Sequence, residues 1–340
     1  MCIRDSKYMI KIGLDAMGGD FAPEQTVLGA YAAVEKFDDI EISLYGIESE
    51  IQKFMKQPHD RIKIVHCEQV IPMDVKDPAM AIRKFKDSSM VRACKDAKTG
   101  DIDAVVSAGA TGALIAAGTL VVKRLKEVER PALAPVMPTI KENKYTILCD
   151  AGATSDAKPQ YLYQNAKIAS IYAREVMNIE NPTVALLNIG TEDGKGTDLQ
   201  KEAFALIAAD PTINFVGNME GKTMIAGEVD IIVADGYSGN IALKSVEGTS
   251  KSLLSLIKEE LMSSTRGKIG ALLLKPAFAR IKKRMDASEV GGGILLGVSA
   301  PVIKAHGSSD SIALMNAIRQ ARETVSKDVV AKISQALKAE

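Results

Sequence analysis

Short apolar runs recur along the chain, and most of them stop at a glycine turn that opens a helical pattern. Met9–Leu14 is apolar or alternating, and DAMGGD (Asp15–Asp20) then turns the chain. Pro23–Phe37 follows with helical spacing through Val27, Ala30, Tyr31 and Val34. Ile40–Tyr45 and Arg61–Val65 read as further strands, the second continuing to Cys67. Asp77–Ala97 reads as one long helix, with Pro78 in its first turn and a polar face of Arg83, Lys84, Lys86 and Asp87. Asp103–Val106, Thr146–Leu148, Thr183–Ile189 and Val229–Ala234 are each an apolar run ahead of a glycine turn. Helical stretches between them include Gly112–Leu125, Pro159–Val176 and Thr197–Ala208.

Strands alternating with helices at this spacing predict βαβ units and a mostly parallel sheet buried on both faces. Five turns fall at the predicted carboxyl ends of strands: Asp15–Asp20, Ser107–Ala113 (SAGATGA), Asp150–Thr154 (DAGAT), Asn188–Gly196 (NIGTEDGKG) and Asp235–Asn240 (DGYSGN). Ligands of such sheets sit at those ends. A strand closing on Gly and small polar residues before a helix presents bare N–H groups at a positive dipole end, which is an anion site. Five of them predict a common mouth for phosphate-like groups. With no internal repeat and no low-complexity linker, residues 9–340 read as a single continuous domain. Met1–Tyr8 lacks the pattern that follows and reads as an extension or scar ahead of a start at Met9.

Composition narrows the function classes. The 340 residues are 46% hydrophobic and 25% charged, the balance of a soluble globular protein. Lys plus Arg and Asp plus Glu each total 43, so no global field points to nucleic acid, and the lack of Trp argues against base stacking. Cys2, Cys67, Cys94 and Cys149 form no CxxC pair, which favours a reducing cytoplasm over disulfides or structural zinc. No run is long enough to span a bilayer, and no signal-peptide core is present.

Three familiar patterns almost fit and fail. Gly217–Thr223 (GNMEGKT) is one residue short of a P-loop, GYSGN ends in Asn240 where a nucleophile elbow needs Gly, and Gly109–Gly118 misses the dinucleotide fingerprint. Lys195 lies between Gly194 and Gly196, where backbone can approach a ligand and the ammonium supplies a point charge for phosphate; the bland alternative is a solvated loop lysine. Glu192 and Asp193 can pair with it or cap the following helix. Ser238 and Asn240 either cap the helix after DGYSGN, or Asn240 donates its amide to an oxyanion. His306, in KAHGSSD (Lys304–Asp310), is a phosphate contact, an acid/base group, or a satisfied histidine at a strand end. His59 and His66 carry only the last reading.

Leu261–Met285 has seven basic and no acidic residues, with Ile269, Leu272, Leu273, Leu274, Phe278 and Ile281 interleaved. Pro276 is expected to break it into two short helices. Such a basic amphipathic hairpin suits anionic lipid or an acidic protein, with an ordinary surface helix pair as the alternative.

DAMGGD, SAGxTGA, a DxGA turn, LLNIG with a following KG, DGxxGN with Lys244 beyond it, GGxxLLG and KAHGSS occur in that order. From about Met9 onward the chain resembles the phosphate acyltransferases of bacterial phospholipid synthesis, the PlsX type. Ala110 stands where that family usually has Asn or Ser, Thr154 where it has Asn, and Gly221–Lys222 where it has Ala-Arg or Pro-Arg.

The resemblance implies a cytoplasmic, peripherally membrane-associated homodimer. Its fold would be a three-layer α/β/α sandwich like isocitrate/isopropylmalate dehydrogenases and phosphotransacetylases, with Leu261–Met285 protruding. The implied reaction moves a fatty acyl group from acyl carrier protein to inorganic phosphate, without cofactor or metal. The acyl phosphate would pass to a membrane glycerol-3-phosphate acyltransferase.

Because the phosphate dianion is itself a nucleophile, the protein has to position it and stabilise the tetrahedral oxyanion. On this basis Lys195, Asn240 and His306 are the catalytic candidates: Lys195 for phosphate, Asn240 for the oxyanion, His306 for phosphate or the leaving thiolate. Asp15, Gly18, Gly19, Asp20, Ser107, Gly109, Thr111, Gly112, Asp150, Gly152, Gly190, Asp235 and Ser238 are expected to bind substrate. Arg266, Lys268, Leu272, Leu273, Lys275, Phe278, Arg280, Lys282 and Lys283 are expected to meet membrane or acyl carrier protein. The competing readings are an NAD-dependent decarboxylating dehydrogenase on the related fold and a non-catalytic membrane scaffold.

Overall fold

A computed structural model describes residues 9–284 and 291–338. The leader Met1–Tyr8 and the end of the basic stretch at Met285 lie outside the described residues, as do the side chains of Lys282 and Lys283. The chain begins β1 (Ile10–Asp15), α1 (Glu24–Lys36), β2 (Ile40–Gly46), α2 (Glu48–Gln52), β3 (Ile62–His66), α3 (Pro78–Lys84), α4 (Ser89–Thr99) and β4 (Ala104–Ser107). It continues through α5 (Thr111–Ala117), β5 (Ala132–Pro138), β6 (Tyr145–Cys149), α6 (Pro159–Glu175), β7 (Thr183–Asn188), α7 (Asp198–Ala209) and β8 (Asn214–Glu220). The remainder is β9 (Ile231–Val233), α8 (Gly236–Met262), α9 (Thr265–Arg284), β10 (Gly293–Leu296), β11 (Val302–Lys304), α10 (Ser311–Ser326) and α11 (Val329–Lys338).

Where one continuous domain is expected, the chain packs as two compact units. The first comprises Met1–Val136, Lys167–Asn181 and Ser288–Glu340; the second comprises Met137–Ala166 and Pro182–Ala287.

In the first unit the strand order is β3-β2-β1-β4-β11-β10-β5. The strands from β3 to β11 run parallel, and β10 is antiparallel to both β11 and β5. β4 is buried at every position and β1 at all but one, so neither face of the sheet meets water there. α1 and α10 pack on each other and on these strands, and α4 packs against β1, β2 and β4.

The second unit orders its strands β6-β9-β7-β8, all parallel, with a register shift between Val184 and Leu186 of β7. Its core gathers Met137, Leu148, Ala185, Met219, Met224, Val229 and Ile232. The α/β class, the mostly parallel sheet and the five strand-end turns therefore agree with the sequence pattern.

Three predicted helices are rearranged. Asp77–Ala97 is two helices, because Phe85 leaves the helical region and Ser88 restarts the chain as an N-cap, accepting the Val91 N–H at 3.4 Å. Gly112–Leu125 is α5 followed by a π-helical turn over Gly118–Lys123. Pro276 lies inside α9 and does not divide it. The break falls earlier, at a serine pair: Ser263 closes α8 by bonding the Glu260 carbonyl at 2.7 Å, and Ser264 opens α9 by accepting the Gly267 N–H at 3.0 Å. Capping chemistry satisfies both helix ends there, whereas Pro276 removes only one donor.

Candidate active site

In the first unit three turns meet at the carboxyl ends of β1, β4 and β11. Register aligns Asp15 with Ser107 and Ser107 with Lys304 across these strands. Ser107 Oγ donates to Asp15 Oδ2 at 2.6 Å and accepts the Gly109 N–H at 3.0 Å. Asp15 also accepts the Met17 N–H at 3.3 Å, and burial raises its pKa against these hydrogen bonds. A Cβ on Gly18 would lie 2.6 Å from both Asp15 Oδ2 and the Gly109 nitrogen, so the first two turns can interlock only with glycine there. The third turn joins them when Asp20 N–H donates to the Gly307 carbonyl at 2.8 Å.

Thr111 and Gly112 open α5, where Ala110 occupies the N-cap and supplies no side-chain acceptor. Within SAGATGA the Gly109 N–H is taken by Ser107, and it is the first N–H groups of α5 that no side chain caps. His306 is exposed, and its Nδ1 accepts the Ser308 N–H at 3.3 Å and contacts Ser308 Oγ at 2.8 Å. A neutral ring held this way carries its proton on Nε2. His59 and His66 each accept a backbone N–H, from Arg61 and Glu48.

In the second unit β6, β9 and β7 are adjacent and parallel, so DAGAT, DGYSGN and NIGTEDGKG leave the same sheet edge. The Asp150 carboxylate accepts the N–H groups of Gly152, Ala153 and Thr154 at 3.0, 2.9 and 2.7 Å. The expectation of bare donors is therefore not met at DAGAT: its N–H groups are already taken. Likewise Asp235 caps α8, accepting the Ser238 N–H at 2.8 Å. α8 packs directly on the DAGAT turn, since a Cβ on Gly239 would stand 2.0 Å from the Asp150 carbonyl oxygen.

With Asp235 as the cap, neither Ser238 nor Asn240 fills that role. The Asn240 amide lies against Gly152, within 3.4 Å of where a Cβ would stand there, and forms no hydrogen bond among the described residues.

Lys195 is exposed, 3.6 Å from Glu192, and its stem runs over Gly190. The loop is stapled from below. Asn188 Nδ2 donates to the Lys195 carbonyl at 3.0 Å and to Asn218 Oδ1 at 3.1 Å, and Asn218 Nδ2 donates to the Glu192 carbonyl at 2.9 Å. Both staples were missed in the sequence. Asn188 stands at a strand end where its amide could have been anticipated, but Asn218 gives no signal of its own. GNMEGKT lies along β8 and a 3-10 turn and forms no phosphate loop.

Also in the second unit, α9 packs along α8 and leaves much apolar surface open. Leu272 and Leu273 are 71% and 75% exposed, with Leu253, Leu256, Met262 and Ile269 also exposed. Between the two helices lies a cavity of about 320 Å³ lined by Leu254, Ile257, Leu261, Lys275 and Phe278. Arg266, Lys268 and Arg280 sit on the same helix as the leucines. Among the described residues no helix is long and apolar enough to cross a membrane, and no group of His, Cys, Asp and Glu is arranged to hold a metal ion.

Relatives sort these features. A family profile described as "Fatty acid synthesis protein" matches residues 10–332. A phosphate acyltransferase of Bacillus cereus is 49% identical over 331 residues, covering 97% of this chain and 99% of the relative. The chain belongs to the phosphate acyltransferase family. A second member, from Bacillus cytotoxicus, is 48% identical over the same share of both chains. Membership makes the chain an acyltransferase. Among solved structures, a phosphotransacetylase from Streptococcus pyogenes superposes with a TM-score of 0.65 at 16% identity, covering 94% of each chain. A branched-chain phosphotransacylase from Enterococcus faecalis gives 0.57 at 18% identity, over 93% of this chain and 99% of that one. The fold is thus phosphotransacetylase-like.

Proposed function

We propose that this acyltransferase moves a fatty acyl group from acyl carrier protein to inorganic phosphate, releasing an acyl phosphate for phospholipid synthesis. The near-full-length identity to phosphate acyltransferases carries the reading. A phosphate oxygen attacks the thioester carbonyl carbon, the carbonyl electrons move onto oxygen, and collapse of the tetrahedral intermediate expels the carrier thiolate. No protein nucleophile is required, so the side chains serve to hold phosphate and to stabilise developing charge.

In the first unit, the SAGATGA turn retains N–H donors for an anion, and His306 Nε2–H can meet phosphate or the leaving thiolate. In the second, Lys195 offers an exposed positive charge and Asn240 an amide without a partner among the described residues, suited to the oxyanion. Asp15, Asp150 and Asp235 act by shaping the turns that carry these donors, since their carboxylates are engaged with those turns. Basic residues of α9 and the exposed leucines suit a peripheral membrane surface. There the amphiphilic product can leave toward a membrane glycerol-3-phosphate acyltransferase, and acidic acyl carrier protein can dock. A cytoplasmic homodimer of isocitrate-dehydrogenase kinship fits the same reading.

The test is incubation with palmitoyl-acyl carrier protein and phosphate, read by mass spectrometry. Palmitoyl phosphate formed in proportion to enzyme is the expected product. Its absence, with the thioester intact, would overturn the proposal. A melting-temperature shift with NAD and Mg²⁺ would instead favour the dehydrogenase reading.

A further inference from the structure

β11 ends in a lysine that the strand pattern hides. Lys304 stands in register with Ser107, which stands in register with Asp15, so three neighbouring parallel strands place an ammonium, a hydroxyl and a carboxylate side by side. The lysine is half-buried, and its Nζ donates to the Ala305 carbonyl and lies 3.4 Å from the Ala108 oxygen. Among the described residues no carboxylate forms an ion pair with it. Asp15 belongs instead to Ser107 and its own turn. An ammonium held in this setting by two carbonyls alone retains donor capacity for an anion, and it stands among the three interlocked turns.

We propose that Lys304 contacts the phosphate acceptor directly and supplies the fixed positive charge of the first unit's turn cluster. The inference rests on the phosphate-acceptor reading above. Two facing groups set its charge state: Asp15 from β1 and Asp20 from the turn after it both favour the ammonium, while Ser107 of β4 is neutral and His306 lies exposed on the lysine's own loop. Burial outweighs the two aspartates and brings the Lys304 pKa down to about 8. The ammonium is therefore lost as pH rises through that value, and phosphate affinity should fall with it. An arginine stays charged throughout.

The experiment measures KM for phosphate and for palmitoyl-acyl carrier protein between pH 6.5 and 9.5, in the parent, Lys304→Gln and Lys304→Arg. It also records how much inorganic phosphate raises each melting temperature. The loss of one charge-assisted contact predicts a phosphate KM about tenfold or more higher in Lys304→Gln at pH 7, with the carrier KM unchanged and the phosphate-dependent melting shift reduced. The parent's phosphate KM should climb above about pH 8, and Lys304→Arg should flatten that climb.

A lysine that merely balances Asp15 predicts otherwise: lower stability in Lys304→Gln, but parental phosphate KM and melting shift. That result overturns the inference while leaving the reaction intact. If Lys304→Gln does not fold, the parent and Lys304→Arg decide it; an identical climb in both rejects the assignment. A parent with no phosphate-dependent turnover overturns the acceptor reading and this inference together.

Discussion

Asp150→Asn tests whether this carboxylate builds the site or binds the ligand. The residue is 1% exposed, and its two oxygens take three consecutive N–H groups of the DAGAT turn. Asparagine keeps the shape but replaces one oxygen with an NH2 group. If the retained oxygen serves Gly152 and Ala153, the new amide faces the Thr154 N–H, donor to donor. The bond lost there is the 2.7 Å contact. Leaving a buried donor unmet costs about 1–3 kcal/mol, and losing a charge-assisted bond puts the effect toward the upper end. The strain is passed on, because the Thr154 carbonyl receives the first N–H of α8, from Gly236, at 2.9 Å.

For a unit of this size each kcal/mol moves the midpoint by roughly 2–4 °C, so a fall of about 5–10 °C is expected. Circular dichroism melts of parent and variant, with turnover per folded molecule below the transition, make the measurement. A variant that melts within a degree of the parent yet loses turnover would refute the reasoning, because it would make Asp150 a ligand group. Asp150→Ala should be worse still, by removing acceptors for all three donors.

Lys195→Ala should lower turnover by orders of magnitude with little change in melting temperature, since its exposed contact with Glu192 contributes little to stability; near-parental rates would end its assignment. Asn240→Ala should reduce turnover more than it weakens phosphate binding and leave the melt unchanged, whereas Asp235→Ala, which removes the α8 cap, should lose about 1 kcal/mol of stability. Acid should uncover Asp230: burial raises its pKa, but Lys144 and the two Thr183 bonds outweigh it and hold the carboxyl below 3.8. Its contribution is present above the unfolded value and is lost as pH falls through the lower folded value, so the urea-midpoint gap between parent and Asp230→Asn should be constant from pH 7 to about 5 and close below about pH 4. Leu273→Glu with Phe278→Glu should reduce flotation with anionic vesicles and spare soluble acyl transfer; unchanged flotation would move the membrane surface elsewhere.

The strand ends were legible because each buried strand is an apolar run and each must hand its chain to a helix through small residues. Where strands broke that rule they disappeared from the reading. β5 contains Pro135 and ends at Pro138, which argues against a strand, yet it pairs with β10 over Ala132–Pro135. The division between α8 and α9 was misplaced for a related reason. Proline is a loud signal and a serine pair a quiet one, but the serines satisfy the helix ends while Pro276 forfeits a single bond. Among site residues, motif reading found the turns and misjudged the donors of DAGAT. No linear pattern states that the three N–H groups after Asp150 are consumed by Asp150 itself.

On the proposed phosphate-acceptor reading, that consumption explains how turns so rich in aspartate can serve an anion. DAMGGD, DAGAT and DGYSGN each begin with an aspartate, and each aspartate accepts N–H groups of its own turn. The carboxylates at 15, 150 and 235 are buried and engaged by donors of their own turns, three of them at Asp150 and one at Asp235, which ties each loop to its aspartate. Among the described residues, the groups of these turns left without protein partners include donors: the Asn240 amide, the Nε2 edge of His306, and the first N–H groups of α5. In the second unit Lys195 adds an exposed charge, and in the first unit Lys304 adds one at a strand end. Acidic residues in these turns therefore work as internal caps, and it is the donors they leave exposed that can receive a negatively charged substrate.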